Sequence, residues 1–318
     1  MDEANEEIFT LLQSFLKNPP LIIWGSGATI PFGLPSMWHL NEALKAKIEG
    51  FDNTNDNLEI ELGKEKYIEK MPEIKKTIWK IVNDSDVSVL NRIIASENGE
   101  FNGVKLLLEK FTDPHPQVIN IVTTNYDKVL EHVMSYHNFP FSDGFNGKVL
   151  STFDEREFRN KKNVNIIKVH GSLNWFEIDK EIRYMSGNLE DKSPQIIAPG
   201  KNKYQEAFKR PYRELIQKSD NLINDASSFL VVGFGFNDEH LTPKIKAKVN
   251  GGIPIVLITK EVTENTFNEL VNAQRYILLE EVEEGKTKIT YKENQSSVQK
   301  IINIDGDYWQ LNKFMEIL

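Results

Sequence analysis

Five short, nearly continuous apolar runs constrain this chain more than any other feature: LIIWG at 21–25, VINIVTT at 118–124, NIIKVH at 165–170, FLVVG at 229–233 and IPIVLIT at 253–259. A strand with one wet face alternates apolar and polar residues. These runs do not alternate, so both faces of each must be covered, as in a parallel sheet sandwiched between helices. A sixth run, QIIA at 195–198, is shorter. Helical periodicity separates most of the runs. Ile8, Leu11, Leu12, Phe15 and Leu16 form one stripe, and 126–137, 204–226 and 266–273 carry others. The alternation predicts an α/β fold, a Rossmann-like parallel sheet with helices on both faces and right-handed crossovers.

About 90 residues lie between the first two runs, far more than a crossover needs. Residues 37–111 read as a helical module inserted there, with Leu90, Ile93, Ile94 and 106–108 as apolar anchors and the polar DNTNDN at 52–57 as a loop within it. The rest of 1–318 reads as a single domain. The charged stretch 280–297 ends the sheet region, and 307–318 reads as a docked terminal helix. No apolar run is long enough to span a bilayer. The acidic start, MDEANEEIF, is unlike a secretory signal. The absence of cysteine removes disulfides, thiolate metal sites and cysteine nucleophiles, and fits a cytoplasmic protein. A net charge of -9 argues against a whole-chain grip on nucleic acid.

In an open α/β sheet, ligands bind beyond the carboxyl ends of the strands. Four strand ends here carry unusual residues. Gly25-Ser26-Gly27-Ala28-Thr29 is a glycine turn that either cradles a phosphate or simply turns; Ile30 stands where a dinucleotide fingerprint has its third glycine. Asn125 and Asp127 follow the second run, where Asn125 is either a helix N-cap or a ligand-facing amide, and Asp127 fits the first turn of a helix starting at Tyr126. Of six histidines, His170 alone ends a buried run and precedes a glycine, a place suited to general base work. His240 is its rival. Gly233-Phe234-Gly235-Phe236-Asn237-Asp238 repeats the strand and glycine turn, with Asn237 or Asp238 as a helix cap.

In this order the four strand ends resemble the SIR2 (sirtuin) superfamily, whose members carry GAGxSxxSGIPxFR, then TQNID, then HG, then a strand ending GTS. The chain has GSGATIPFGLPSMW at 25–38 with the same spacing, TTNYD at 123–127, HGS at 170–172 and VVGFGF at 231–236. The likeness covers roughly residues 20 to 260. Ser36 and Trp38 replace the sirtuin aspartate and arginine, and the four cysteines of the sirtuin zinc ribbon have no counterpart. TTNYD, HGSLNW and GFGFND look more like the SIR2-like proteins of bacterial antiphage defence, which hydrolyse NAD. Some of those work beside a HerA-type ring ATPase.

The resemblance implies an NAD glycohydrolase of abortive infection, with NAD as substrate, no prosthetic group and no zinc. It implies catalytic roles for His170, as proton acceptor, and Asn125, as the residue positioning the ribose or the attacking water. Nucleotide contacts would come from Gly25, Ser26, Gly27, Ala28, Thr29, Ser36, Asp127, Gly233, Phe234, Gly235 and Asn237, with the amides of 25–28 on the diphosphate. It further implies activation by assembly or by a partner: a homo-oligomer, a HerA-type ATPase, or both. The N-terminal helix and the inserted module are the candidate contact surfaces. Two other readings stand beside it, an NAD-dependent protein deacylase and a module that binds NAD or ADP-ribose without cleaving it.

Overall fold

The computed structural model describes residues 3–53, 58–95, 98–114, 117–160, 162–186, 192, 194–198 and 209–318. Helix α1 (Glu3–Phe15) and strand β1 (Leu21–Trp24) precede four helices, α2 (Met37–Lys47), α3 (Leu58–Leu62), α4 (Met71–Ile94) and α5 (Asn102–Thr112). Strand β2 (Val118–Thr123) and helix α6 (Val129–Tyr136) follow. Six strands come next: β3 (Phe141–Ser142), β4 (Phe145–Asn146), β5 (Leu150–Phe153), β6 (Asn163–Lys168), β7 (Gly171–Ile178) and β8 (Glu181–Met185). After β9 (Pro194–Ile196) the order is α7 (Tyr212–Asp225), β10 (Phe229–Val232), α8 (Thr242–Asn250), β11 (Ile255–Ile258) and α9 (Glu264–Leu270). Strands β12 (Tyr276–Glu283), β13 (Lys286–Lys292) and β14 (Lys300–Asp305) and helix α10 (Leu311–Ile317) complete the chain.

The five apolar runs become neighbours. The main sheet runs β14-β13-β12-β11-β10-β1-β2-β6-β3, and β12, β11, β10, β1, β2, β6 and β3 all pair in parallel. Successive residues of each central strand enter opposite cores, which is why the runs do not alternate. Ile22, Ile121, Ile166 and Leu230 join Ile8 and Leu12 of α1, Ile78 of α4 and Leu107 of α5 on one face. Ile23, Val122, Ile167 and Val231 join Leu215 and Ile223 of α7 and Ile245 of α8 on the other. A second sheet, β4-β5-β8-β7-β9, is antiparallel and packs Phe153 and Trp175 into that second core.

Several expectations are revised. The stripe on α1 is core: Ile8, Leu12 and Phe15 are buried beneath the sheet, so it is not an open contact surface. The run at 195–198 belongs to β9, in the second sheet rather than the parallel one. The stretch 280–297 does not end the sheet; β12, β13 and β14 form an antiparallel meander there. Its charged residues occupy the wet side of an edge, while Ile289, Tyr291 and Ile304 are buried. The helix expected from 126 begins at Val129. Those expected over 204–226 and 266–273 are α7 and α9, with residues 204–208 outside the described residues. Residues 54–57 of the DNTNDN loop are also outside them. Among the described residues no helix is long and apolar enough to cross a membrane.

Candidate active site

Parallel strands end on one edge, so β1, β2, β6 and β10 deliver the residues after them to a common place. There lies a cavity of about 470 Å³. Its polar wall is Ser26, Thr29, Thr124, Asn125, Asp127, His170, Asn237 and Asp238, and its apolar wall is Leu34, Pro35, Met37, Leu40, Leu58 and Val82. Tyr126, Phe234 and Gly235 complete the lining. Among these residues two are carboxylic acids and none is lysine or arginine.

The glycine turns after β1 and β10 touch each other. A Cβ on Gly25 would lie 2.4 Å from the carbonyl oxygen of Gly233, and one on Gly233 would lie 2.1 Å from the amide nitrogen of Ala28. Gly233 also has a φ of +58°, a conformation costly for other residues. The amides of Gly25, Gly27 and Ala28 donate to the carbonyls of Val232, Gly233 and Gly25 at 2.9, 2.9 and 3.1 Å. The hydrogens of three of the four amides expected on a diphosphate, those of Gly25, Gly27 and Ala28, are thus engaged within the fold. Gly25, Gly27, Ala28 and Gly233 brace the floor and are not in the lining; Ser26 and Thr29 of the same turn are. Ser36 is also outside it. Its hydroxyl caps α2, accepting from the amide of His39 at 3.3 Å.

Residues 124–128 are non-helical and run along the cavity. The Asn125 side-chain amide donates to the Gly25 carbonyl at 3.0 Å and to Thr29 Oγ1 at 3.3 Å. Both amide hydrogens are thus committed, which turns Oδ1 into the group available to a ligand. Asn125 is therefore not the N-cap of α6. Asp127 lies two residues before α6 rather than in its first turn. One carboxylate oxygen accepts from the Val129 amide at 3.2 Å, and the other accepts from Thr29 Oγ1 at 3.3 Å. Burial pushes its carboxyl up to about 6, with the Asp86 and Glu131 charges adding to the rise and Lys168 opposing it.

His170 follows β6, and Gly171, with a φ of +88°, turns the chain sharply into β7. The His170 carbonyl accepts from the Ile197 amide at 2.8 Å. Its Nε2 stands 2.9 Å from Oδ2 of Asp238, at ion-pair distance but without a linear hydrogen bond. Both side chains are buried. Asp238 Oδ1 accepts the amides of His240 and Leu241 at 3.0 and 2.9 Å, ahead of α8. Asp238 thus holds the turn at 239–241 that leads into α8, whose own N-cap is Leu241, and it also holds a carboxylate oxygen against the cavity's histidine. This second role has no local signal. His240 is not in the lining.

Of the residues expected at a site, the structure brings His170, Asn125, Ser26, Thr29, Asp127, Phe234, Gly235 and Asn237 to one cavity. Asn237 is at its exposed rim, where its Oδ1 accepts from Asn265 at 2.9 Å. The apolar wall escaped the sequence reading, because Leu40, Leu58 and Val82 lie on three different helices of the segment between β1 and β2. Among the described residues no group of three or more His, Asp or Glu side chains is placed to share a metal ion.

Residues 119–247, from β2 into α8, match the profile of a family described as "SIR2-like domain". No curated protein matches the chain. Among solved structures, a complex of a SIR2 homolog with NAD is 14% identical, with a TM-score of 0.49, over 85% of this chain and 87% of that one. A structure concerned with sirtuin substrate affinity is 12% identical, with a TM-score of 0.47, over 82% and 89%. A Sir2 homologue bound to ADP-ribose is 16% identical, with a TM-score of 0.45, over 84% and 88%.

Proposed function

We propose that this chain, which matches the profile of a SIR2-like domain over 119–247, hydrolyses NAD to nicotinamide and ADP-ribose. The observation that carries the reading is the meeting of His170, Asp238, Asn125 and Asp127 around one cavity, with no lysine or arginine among the described residues that line it. The nicotinamide end of NAD is a pyridinium, and its departure leaves an oxocarbenium-like ribose. Two buried carboxylates and an amide oxygen favour positive charge in both states. The planar ring suits the apolar wall of Leu34, Pro35, Met37, Leu40, Leu58 and Val82.

In the proposed reaction the bond between C1′ of the ribose and the pyridinium nitrogen breaks, and the electron pair leaves with neutral nicotinamide. Water forms the new C–O bond at C1′ and gives up a proton. His170 accepts that proton, directly or through a ribose hydroxyl, and the Asp238 carboxylate offsets the imidazolium charge. Asn125 Oδ1 positions the ribose or the water. The leaving group is cationic before it departs, so it needs no protonation.

The likeness of TTNYD at 123–127, HGSLNW at 170–175 and GFGFND at 233–238 to SIR2-like antiphage proteins supports the role of an abortive-infection effector, held inactive until it self-assembles or meets a partner such as a HerA-type ATPase. The test is nicotinamide release from NAD, by the protein alone and with candidate activators. Turnover that survives both Asn125→Ala and His170→Ala would sink this assignment. Tight NAD binding with no release under any condition would select a binding module instead.

A further inference from the structure

Behind the cavity, the loop at 124–128 rests on a buried charge cluster that the proposed reaction does not use. Asp86 lies on α4, within the long helical segment between β1 and β2, and is fully buried. Its Oδ1 accepts from the Lys128 amide at 2.6 Å, one residue past Asp127. Its Oδ2 lies 2.9 Å from Nε2 of His132 on α6 and 3.2 Å from Lys128 Nζ. Burial pushes the Asp86 carboxyl up, but the hydrogen bond and attraction from His132 and Lys128 outweigh it and hold the group below its ordinary range.

We propose that Asp86 is a positioning residue for the site, tying α4 to the loop that carries Asn125 and Asp127 and holding those two side chains against the cavity. The inference rests on the reading of function above. A buried carboxylate is costly unless fully partnered. A helix cap alone does not need a charge with a lysine and a histidine gathered around it. The position of the charge gives it a second consequence. Asp86 and Glu131 both disfavour ionisation of Asp127, and Lys168 favours it. Lys168, at the end of β6, is itself buried, donating to the Asp127 carbonyl and to Glu131 Oε1, the latter at 2.8 Å. Burial pushes the Asp143 carboxyl up to about 6, with Glu131 adding to the rise and Lys168 opposing it. The groups facing Asp127 are thus Asp86 from α4, Glu131 from α6, Lys168 from β6 and Thr29 from the first turn, with His170 and Asp238 in the same cavity lining.

The experiment has two arms on the full chain. Carbon-13 NMR of labelled aspartate follows the Asp127 titration in the free protein, assigned with Asp127→Asn. Nicotinamide release gives kcat and KM across the pH range. Asp86→Asn keeps an acceptor for the Lys128 amide and removes the charge. It is expected to move the Asp127 titration to lower pH by about half a unit or more. It is also expected to lower kcat about tenfold or more with KM held within about threefold, and Asp86→Glu is expected to restore part of kcat. If Asp86→Asn does not fold, His132→Gln, which keeps the Asp86 charge and withdraws the ring, is expected to lower kcat in the same way. A folded Asp86→Asn protein whose Asp127 titration and kcat are unmoved would overturn the proposal, as would His132→Gln with wild-type kcat. Wild-type protein that never cleaves NAD would defeat the functional reading instead, and the NMR arm would still decide whether Asp86 controls Asp127.

Discussion

His170 and Asp238 stand 2.9 Å apart, Nε2 to Oδ2, although one follows β6 and the other follows β10, with β7, β8, β9 and α7 between them in sequence. The Asp238 carboxylate divides its work. One oxygen is pinned by the amides of His240 and Leu241, so the other is held facing the imidazole. Asp238→Asn retains an oxygen for those amides and loses the charge. It is expected to lower kcat for NAD cleavage by about 10²–10³-fold with little change in melting temperature. Asp238→Ala removes that oxygen as well and is expected to cost a further ~1 kcal/mol of stability. Rate assays and thermal melts on the two variants separate the roles; equal rates in wild type and Asp238→Asn would remove Asp238 from the site.

Asp127 predicts a pH dependence. Its ionised form is the one that complements a pyridinium, so kcat/KM is expected to rise as pH passes through about 6, and Asp127→Asn is expected to abolish that rise along with most of the activity. A pH–rate profile with no limb near that value would contradict this.

The same residue predicts a stability trade. Burial raises its folded pKa from 3.8 to about 6, so between those values the folded protein binds more protons than the unfolded chain. The contribution of Asp127 to stability is therefore complete below its unfolded pKa and is lost as pH rises through its folded pKa. Asp127→Asn escapes that loss. Relative to wild type, it is expected to gain about 2 kcal/mol on going from pH 4 to pH 7. Urea denaturation at the two pH values measures it, and a variant less stabilised at pH 7 than at pH 4 would refute the sign.

Gly233 predicts a structural failure rather than a catalytic one. A Cβ there meets the Ala28 amide nitrogen at 2.1 Å and the Gly27 carbonyl carbon at 2.4 Å, both of them backbone. Gly233→Ala must push the two turns apart and also occupy a left-handed conformation, for an expected loss of roughly 2–4 kcal/mol. The melting temperature should fall even where NAD is absent. An unchanged melt would mean that the turns separate easily.

Val82 predicts the place of the nicotinamide ring. It is buried on α4 and lines the apolar wall. Val82→Phe fills that wall and is expected to raise KM for NAD about tenfold while changing kcat less than about threefold. An unaltered KM would move the ring to another part of the cavity.

The sheet was legible because its physics is local. Ile22, Ile121, Ile166 and Leu230 are apolar in runs, since each central strand is wrapped on both faces, and no long-range knowledge is needed to see it. The meander at 276–305 was not legible. Strand β13 alternates Thr287, Ile289 and Tyr291 with Lys286, Lys288 and Lys292, and β14 leaves Ile301 exposed, so the high charge of 280–297 reads as the end of the sheet. Within the site, His170 and Asn125 stood out because a polar residue after a buried strand is conspicuous. Asp86 did not, since it is one of two aspartates, with Asp84, in a 24-residue helix and reads as part of a solvated face.

By itself, then, the sequence determined the class of fold and the edge of the sheet where chemistry belongs, because buried parallel strands must be apolar and their polar ends must point somewhere. Tertiary structure alone decided which polar residues work there. Asp238 and Ser36 both accept backbone amides two or three residues on, yet one also meets a buried imidazole and the other meets only its own helix. Gly25 and Gly233 look like phosphate turns, yet their missing side chains serve each other. A cap, a turn and a ligand contact share the same short-range chemistry, and only the distance to residues far along the chain tells them apart.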